Sequence, residues 1–287
     1  MEGGLVTLGE TMALLSSDQV GRLRHASVLR LGVAGAESNV AIGVRRLGVP
    51  AAWTGRVGDD ELGQLILREL RAERVDVAAA KVDPGAPTGL MLKERRTAEL
   101  ARVVYYRRGS AGSRLAPGDL DEATVTGAGV LHLTGITPAL SASARAAVHA
   151  AAELRDLTAA ADVVFAGDDE AALVVDERDP AGMAGALARL GPRHAVVKRG
   201  ADGAVAVVDG AVHAVPSVAV RAVDSVGAGD AFVAGYLAEL LAGSGPVECL
   251  ATAAACGAFA VTAPGDWEGF PTRDELELLR RGGTVIR

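Results

Sequence analysis

The feature that most constrains this chain is a repeated alternation of short apolar runs with segments of helical period. Leu5–Leu8 reads as a buried strand. Glu37–Leu47 carries apolar residues at helical spacing and stops at Gly48, with Pro50 beyond. Ala51–Val57 follows as a strand, and Asp59-Asp60-Glu61 opens a helix to about Arg71. The rhythm returns with strand Val130–Thr134, helix Ser141–Leu154 and strand Asp162–Phe165. Asp179-Pro180 then pairs a capping residue with proline at the first helical position, opening a helix to Leu190. His194–Lys198 and Ala204–Val208 are strands, and Asp209-Gly210 is a hairpin turn into Ala211–Val215. Gly227–Leu241, Val247–Thr262 and Thr272–Arg281 read as helices. Repeated strand–helix units predict an α/β fold with a mostly parallel sheet covered on both faces.

Two stretches break the rhythm. Thr11–Val33 and Thr88–Arg108 lack helical spacing, and in the second Leu90, Leu92, Val103 and Tyr105 alternate with other residues. Both predict antiparallel strands of a small separate sheet over the carboxyl edge of the main one, where open α/β sheets bind ligands. At 287 residues and 49% hydrophobic content the chain affords a substantial core, but aromatic residues are only 3%, so Ala, Val and Leu must build it. A net charge of −7 argues against a nucleic-acid binder. Only Lys81, Lys93 and Lys198 are lysines, so each stands out. Cys249 and Cys256 lie seven apart in an Ala-rich helical stretch and are expected to be buried thiols. The N-terminus shows no charged lead with a long apolar run, and no stretch has the length of a membrane span, so a soluble, cytoplasmic protein is expected.

The chemistry concentrates in Val223-Asp224-Ser225-Val226-Gly227-Ala228-Gly229-Asp230-Ala231-Phe232, which runs into a helix. Two glycines at a helix start let the backbone approach a ligand, and the free N–H groups with the helix dipole favour an anion. Asp230 in that first turn is either a plain dipole-stabilising charge or a functional carboxylate. No Walker-type Gly-Lys-Ser/Thr loop, Gly-x-Gly-x-x-Gly fingerprint or Gly-x-Ser-x-Gly elbow is present, which sets aside P-loop kinases, Rossmann dehydrogenases and α/β-hydrolases.

This run resembles the second signature of the ribokinase-like PfkB sugar kinases, Asp-Thr-x-Gly-Ala-Gly-Asp. Val33-Ala34-Gly35-Ala36-Glu37-Ser38-Asn39-Val40-Ala41 is similar to the first, glycine-rich signature. Gly55-Arg56-Val57-Gly58-Asp59-Asp60-Glu61-Leu62-Gly63 and Val197-Lys198-Arg199-Gly200-Ala201-Asp202-Gly203 match further family segments. Tyr105-Tyr106-Arg107-Arg108-Gly109-Ser110-Ala111-Gly112-Ser113 and Leu133-Thr134-Gly135-Ile136-Thr137-Pro138-Ala139-Leu140 look most like the 2-keto-3-deoxygluconate kinases of that family. The resemblance implies a three-layer α/β/α sandwich over residues 1–287, with lid segments at about 11–33 and 86–113. It implies ATP-dependent phosphorylation of a sugar acid, 2-keto-3-deoxygluconate going to its 6-phosphate. The alternatives are a fructokinase- or ribokinase-type enzyme for a neutral sugar, or a weakly active sugar-binding regulatory protein.

The implied roles follow residue by residue. Asp230 accepts the proton of the attacking hydroxyl, and the N–H groups of Gly227, Ala228 and Gly229 hold the transferring phosphoryl group. Gly35, Asn39, Tyr105, Arg107 and Ile136 lie at substrate-side positions, with Arg107 suited to a carboxylate through paired donors. Asn39 could instead cap a helix, and Arg107 could instead form a salt bridge within the lid. Lys198, Gly200 and Gly203, with Gly227 and Gly229, are expected near ATP, although Lys198 may equally end a surface strand. Glu170 is expected to orient Mg²⁺-bound water, and Asp224 to help bind K⁺; each could also be a helix-start acid. A homo-oligomer through the lid strands is expected, with no nucleic-acid or membrane partner.

The match also departs from the family. Gly167 replaces the Asn of the Asn-x-x-Glu motif, Met91 stands where the sugar-acid kinases often have Tyr, and Ala34 replaces a glycine of the first signature. Between Leu154-Arg155 and Asp162 the family has a further strand and an Asp-x-Asn-x-Arg motif, whereas here the helix meets Arg155-Asp156-Leu157 directly. Losing a central strand would leave a hole in the sheet, so the expectation is that the strand and its substrate-binding arginine are missing from the sequence as written rather than from the fold.

Overall fold

In the computed structural model, residues 3–17, 19–97, 100–154 and 161–276 are described. Strand β1 (Leu5–Leu8) is followed by β2 (Met12–Ser16) and β3 (Arg30–Ala34), then α1 (Ala36–Arg46), β4 (Ala51–Thr54), β5 (Arg56–Gly58) and α2 (Glu61–Ala72). Next come β6 (Lys81–Asp83), β7 (Leu90–Arg95), β8 (Ala101–Tyr106), α3 (Glu122–Thr126), β9 (Val130–His132), α4 (Ile136–Leu140) and α5 (Ala142–Glu153). The remainder is β10 (Val163–Gly167), α6 (Asp168–Ala171), α7 (Pro180–Arg189), β11 (His194–Lys198), β12 (Ala204–Val208), β13 (Ala211–Val215), α8 (Ala228–Leu241) and α9 (Pro246–Ala260). Three helix starts read from the sequence are enforced locally: Asp60, Ser141 and Asp179 accept hydrogen bonds from the first turns of α2, α5 and α7.

Alternate residues of the strands face two helical layers. Leu5 packs with residues of α1 and α8, while Leu8 packs with Ala144, Ala147 and Ala151 of α5. Val196, Ala204 and Ala206 face α8 and α9, whereas Ala195 and Val197 face Met183 and Leu187 of α7. This is the α/β/α sandwich the alternation predicts. The predicted hairpin forms at Asp209 (φ 47°) and Gly210 (φ 84°), so both central residues have the positive φ of a tight turn between right-twisted strands.

One expectation needs correction and another falls largely outside the described residues. The strand read as Ala51–Val57 is two strands broken at Gly55, where a Cβ would lie 2.3 Å from the carbonyl oxygen of Gly9. The helix expected over Thr272–Arg281 lies outside the described residues beyond Leu276. Among the described residues the main sheet comprises a parallel set in the order β4-β1-β9 and a set in the order β10-β11-β12-β13, in which β10 and β11 run parallel and β12 and β13 antiparallel, so its pairing is mostly parallel as expected. The junction read at Arg155 lies outside the described residues, which resume at Ala161. Among the described residues, β9 and β10 each pair on one edge only.

The two irregular stretches form a small sheet in the order β3-β2-β7-β8. Strand β2 pairs antiparallel with β3 and parallel with β7, and β7 pairs antiparallel with β8. Met12, Leu14, Ala34 and Met91 form its buried side. Its β8 face leaves Tyr105 and Tyr106 exposed, as is Leu31 on β3.

Candidate active site

Helices α1 and α8 pack against each other, and both begin at a glycine with no capping side chain. No side chain therefore caps their first-turn N–H groups, although the Ala228 N–H makes a long contact of 3.4 Å to Ser225 O. Gly227 adopts a left-handed φ of 78°, and a Cβ there would lie 1.7 Å from the carbonyl oxygen of Asp266, so only glycine fits this turn. Ala228, Gly229 and Asp230 follow as the first turn of α8.

Asp230 meets the start of α1 directly. Asn39 Nδ2 donates to Asp230 Oδ2 at 2.8 Å, joining the two segments singled out in the sequence. Loss of solvation pushes the Asp230 carboxyl up to about 7; the Asn39 hydrogen bond and Lys198 oppose that shift, while nearby Glu37 and Asp266 add to it. Asn39 is buried, and its Oδ1 has no hydrogen-bond partner among the described residues. Asn39 does not cap α1; that place belongs to Gly35, where a Cβ would come within 2.7 Å of Glu10 O.

The nucleotide-side candidates converge on the same end of the sheet. Lys198 ends β11 with its Nζ 3.3 Å from where a Cβ of Gly229 would be, so it approaches the start of α8. Gly167 is its register partner on β10, and α6 starts there, which puts Glu170 one turn away. Glu170 caps that helix: its Oε2 accepts from the Gly167 N–H at 2.6 Å. Gly200 and Gly203 frame the turn after Lys198 with φ of 53° and 88°, and a Cβ on Gly203 would lie 2.1 Å from Val215 O.

On the substrate side, Tyr105 lies near the end of β8 and Arg107 just beyond it, with the guanidinium carbon 5.5 Å from the Tyr105 ring centre. Arg107 Nε and Nη2 both reach Glu10 Oε2 at 2.6 Å. Arg107 thus forms a salt bridge, but its partner Glu10 follows β1 and precedes the lid segments, so the pair is not one within the lid. Arg107 Nη1 keeps no protein partner among the described residues. Ile136 opens α4 and is 44% exposed.

Sequence reasoning missed the buried acids behind these groups. Glu10, directly after β1, also accepts from Ser110 Oγ. Glu37 Oε1 accepts from Thr134 Oγ1 and Thr137 Oγ1, each at 2.6 Å, and burial raises its carboxyl while Arg107 pulls the other way. The available signal was a Glu in the first turn of a helix whose middle is apolar, and another just past the carboxyl end of a buried strand. Asp224, expected at a cation, is held by Lys93 Nζ at 2.7 Å, and that ammonium also reaches Asp266 at 3.2 Å. Cys249 and Cys256 are free, buried thiols, as read.

An uncapped helix start at Gly227, a carboxylate bonded to Asn39 and a small separate sheet are features a phosphoryl-transferring kinase can use. The model of the pfkB family of carbohydrate kinases matches residues 3–273, and the chain belongs to that family. It is 38% identical to a 2-dehydro-3-deoxygluconokinase of Thermoproteus tenax, covering 96% of this chain and 93% of that protein. A protein of the same name from Bacillus subtilis (strain 168) is 35% identical over 94% of this chain and 93% of its own length. Among solved structures, a PfkB protein from Polaromonas sp. JS666 is 34% identical with a TM-score of 0.85, covering 96% of this chain and 99% of that one. Two more distant structures share the fold. One is a putative ribokinase II of E. coli in complex with ATP and Mg²⁺ (23% identity, TM-score 0.90, 98% and 99% coverage). The other is a fructokinase double mutant of Vibrio cholerae O395 in fructose-, ADP- and potassium-bound form (23%, 0.79, 97% and 98%).

Proposed function

We propose that this carbohydrate kinase phosphorylates 2-keto-3-deoxygluconate or a closely related sugar acid, using ATP and Mg²⁺, with Asp230 as the base. The observation that carries this reading is the 2.8 Å bond from Asn39 to Asp230 at a helix start with no side-chain cap. Asn39 aims the carboxylate and offers its unpartnered Oδ1 to a substrate hydroxyl. The attacking hydroxyl oxygen bonds to the γ-phosphorus as ADP leaves, and its proton passes to Asp230. A carboxyl raised to about 7 is a better base than an ordinary aspartate and is ionised just above neutrality.

The residues present fit the expected nucleotide. The N–H groups of Gly227, Ala228 and Gly229 face no capping side chain, and Lys198 adds a positive charge beside Gly229. Glu170 spends one carboxylate oxygen on capping α6 and retains the other to orient water on Mg²⁺, which would offset phosphate charge when bound. The Nη1 edge of Arg107, with Tyr105 beside it, suits the carboxylate of the sugar acid, and Glu10 fixes the guanidinium plane. The names of the relatives from Thermoproteus and Bacillus support the same substrate. Asp224 does not fit potassium, because both its oxygens already accept N–H donors, from Lys93, Gly265 and Val226.

The small sheet exposes Tyr106 and Leu31, with Val28 exposed just before β3, an apolar surface suited to a second copy of the sheet. Among the described residues no helix is long and apolar enough to cross a membrane, and the cytoplasm, where ATP is available, is the proposed compartment. Measuring ADP release with 2-keto-3-deoxygluconate, gluconate, fructose and ribose tests the substrate. The reading expects kcat/KM for the keto-deoxy acid to exceed that for the neutral sugars by at least about a hundredfold. Equal activity on fructose or ribose would remove the sugar-acid assignment.

A further inference from the structure

Lys93 is one of only three lysines in a chain that otherwise takes its positive charge from arginine, and it is buried. It lies on β7 two residues after Met91, so the two side chains share the inner face of the small sheet. Its Nζ sits 2.7 Å from Asp224 Oδ2 and 3.2 Å from Asp266 Oδ1. Asp224 stands three residues before Gly227, and Asp266 supplies the carbonyl oxygen packed against that glycine. One ammonium therefore bridges the loop leading into the phosphate-binding turn and the loop supporting it from behind. Neighbouring contacts close the arrangement: Arg95 Nη2 donates to Val223 O at 3.1 Å, Gly265 N–H to Asp224 Oδ2 at 3.3 Å, and Val226 N–H to Asp224 Oδ1 at 3.2 Å.

A buried carboxylate, Asp266, and a half-buried one, Asp224, beside a turn that must hold phosphate would repel both each other and the substrate unless a cation neutralised them. A bound alkali ion would need their oxygens as ligands. Here those oxygens face N–H donors, and the compact charge of a lysine head already occupies the bridging position. We propose that Lys93 is this kinase's built-in monovalent cation: its ammonium supplies at Asp224 and Asp266 the charge a potassium ion would supply, so turnover needs no added potassium. The proposal rests on reading Gly227–Gly229 as the phosphate turn and not on the identity of the sugar.

The test compares the protein in potassium chloride and in tetramethylammonium chloride of equal ionic strength, a cation too large for such a site. ADP is read directly by chromatography, so that no coupling enzyme's own ion requirement intrudes. Wild-type turnover is expected to differ by less than about twofold between the salts, and Lys93→Ala to lose at least about tenfold in tetramethylammonium and recover with potassium or ammonium. A melting series in the same salts needs no substrate, so it stands even if the sugar assignment fails. It should leave wild type unmoved and show Lys93→Ala stabilised by potassium. A wild type that gains about tenfold or more in turnover from potassium, or is itself stabilised by it, overturns the proposal even if the variant does not fold. So does a folded Lys93→Ala that ignores potassium in both measurements.

Discussion

In the proposed reaction Asp230 gains basicity from loss of solvent, and that has two consequences of defined sign. The group must be ionised to accept a proton, so kcat/KM should rise with pH and level off above about 7; a profile flat from pH 5 to 8 would contradict the role. Stability runs the other way. The carboxyl titrates near ~3.9 in an unfolded chain and at about 7 when folded. Between those values the folded chain holds a proton the unfolded chain has lost. Its contribution to stability is full below the unfolded value and disappears as pH climbs through the folded one. Asp230→Asn should therefore melt increasingly above wild type as pH rises from 4 to 8, as calorimetry would register. Asp230 was legible in the sequence because a glycine-flanked acid at a helix start is a compact local pattern. Glu10, Glu37 and Lys93 were not, because their partners, Arg107, Thr134 with Thr137, and Asp224 with Asp266, are distant in sequence.

At the scale of elements, α8 carries the account. Its start is fixed by Gly227, and Gly227→Ala must either flip a left-handed turn or displace Asp266. Turnover should fall by at least about a hundredfold, the loss expected for disrupted anion donors, while circular dichroism retains the helical signal. Further along, Gly235 lets α8 approach α9, and a Cβ there would come within 2.9 Å of Ala253 Cα and 3.0 Å of Cys256 Sγ. Gly235→Ala should cost about 1–3 kcal/mol in denaturant unfolding. The caps of α2, α5 and α7 were readable because each is a short-range side-chain contact. The break between β4 and β5 was not, since it answers to Gly9 and Trp53 packing around Gly55.

For the whole molecule, the alternation of strands and helices was enough to give the layered α/β class, and the two irregular stretches gave the small sheet. Strand order was beyond the sequence, because pairing joins residues far apart, such as Leu5 with Val130. The division of the main sheet among the described residues carries its own prediction. Strand β10 is paired on one side only, among the described residues, whereas β12 is paired on both and wholly buried. Amides of β10 should exchange with deuterium well ahead of those in β12. Equal protection would mean that another segment covers the open edge. The measurement that bears most directly on the central claim is turnover of Asp230→Asn with saturating ATP and 2-keto-3-deoxygluconate. With Asp230 as the base, kcat should fall by roughly 10²–10⁴-fold with little change in KM for either substrate. A variant that turns over at nearly the wild-type rate would show that Asp230 is not the base.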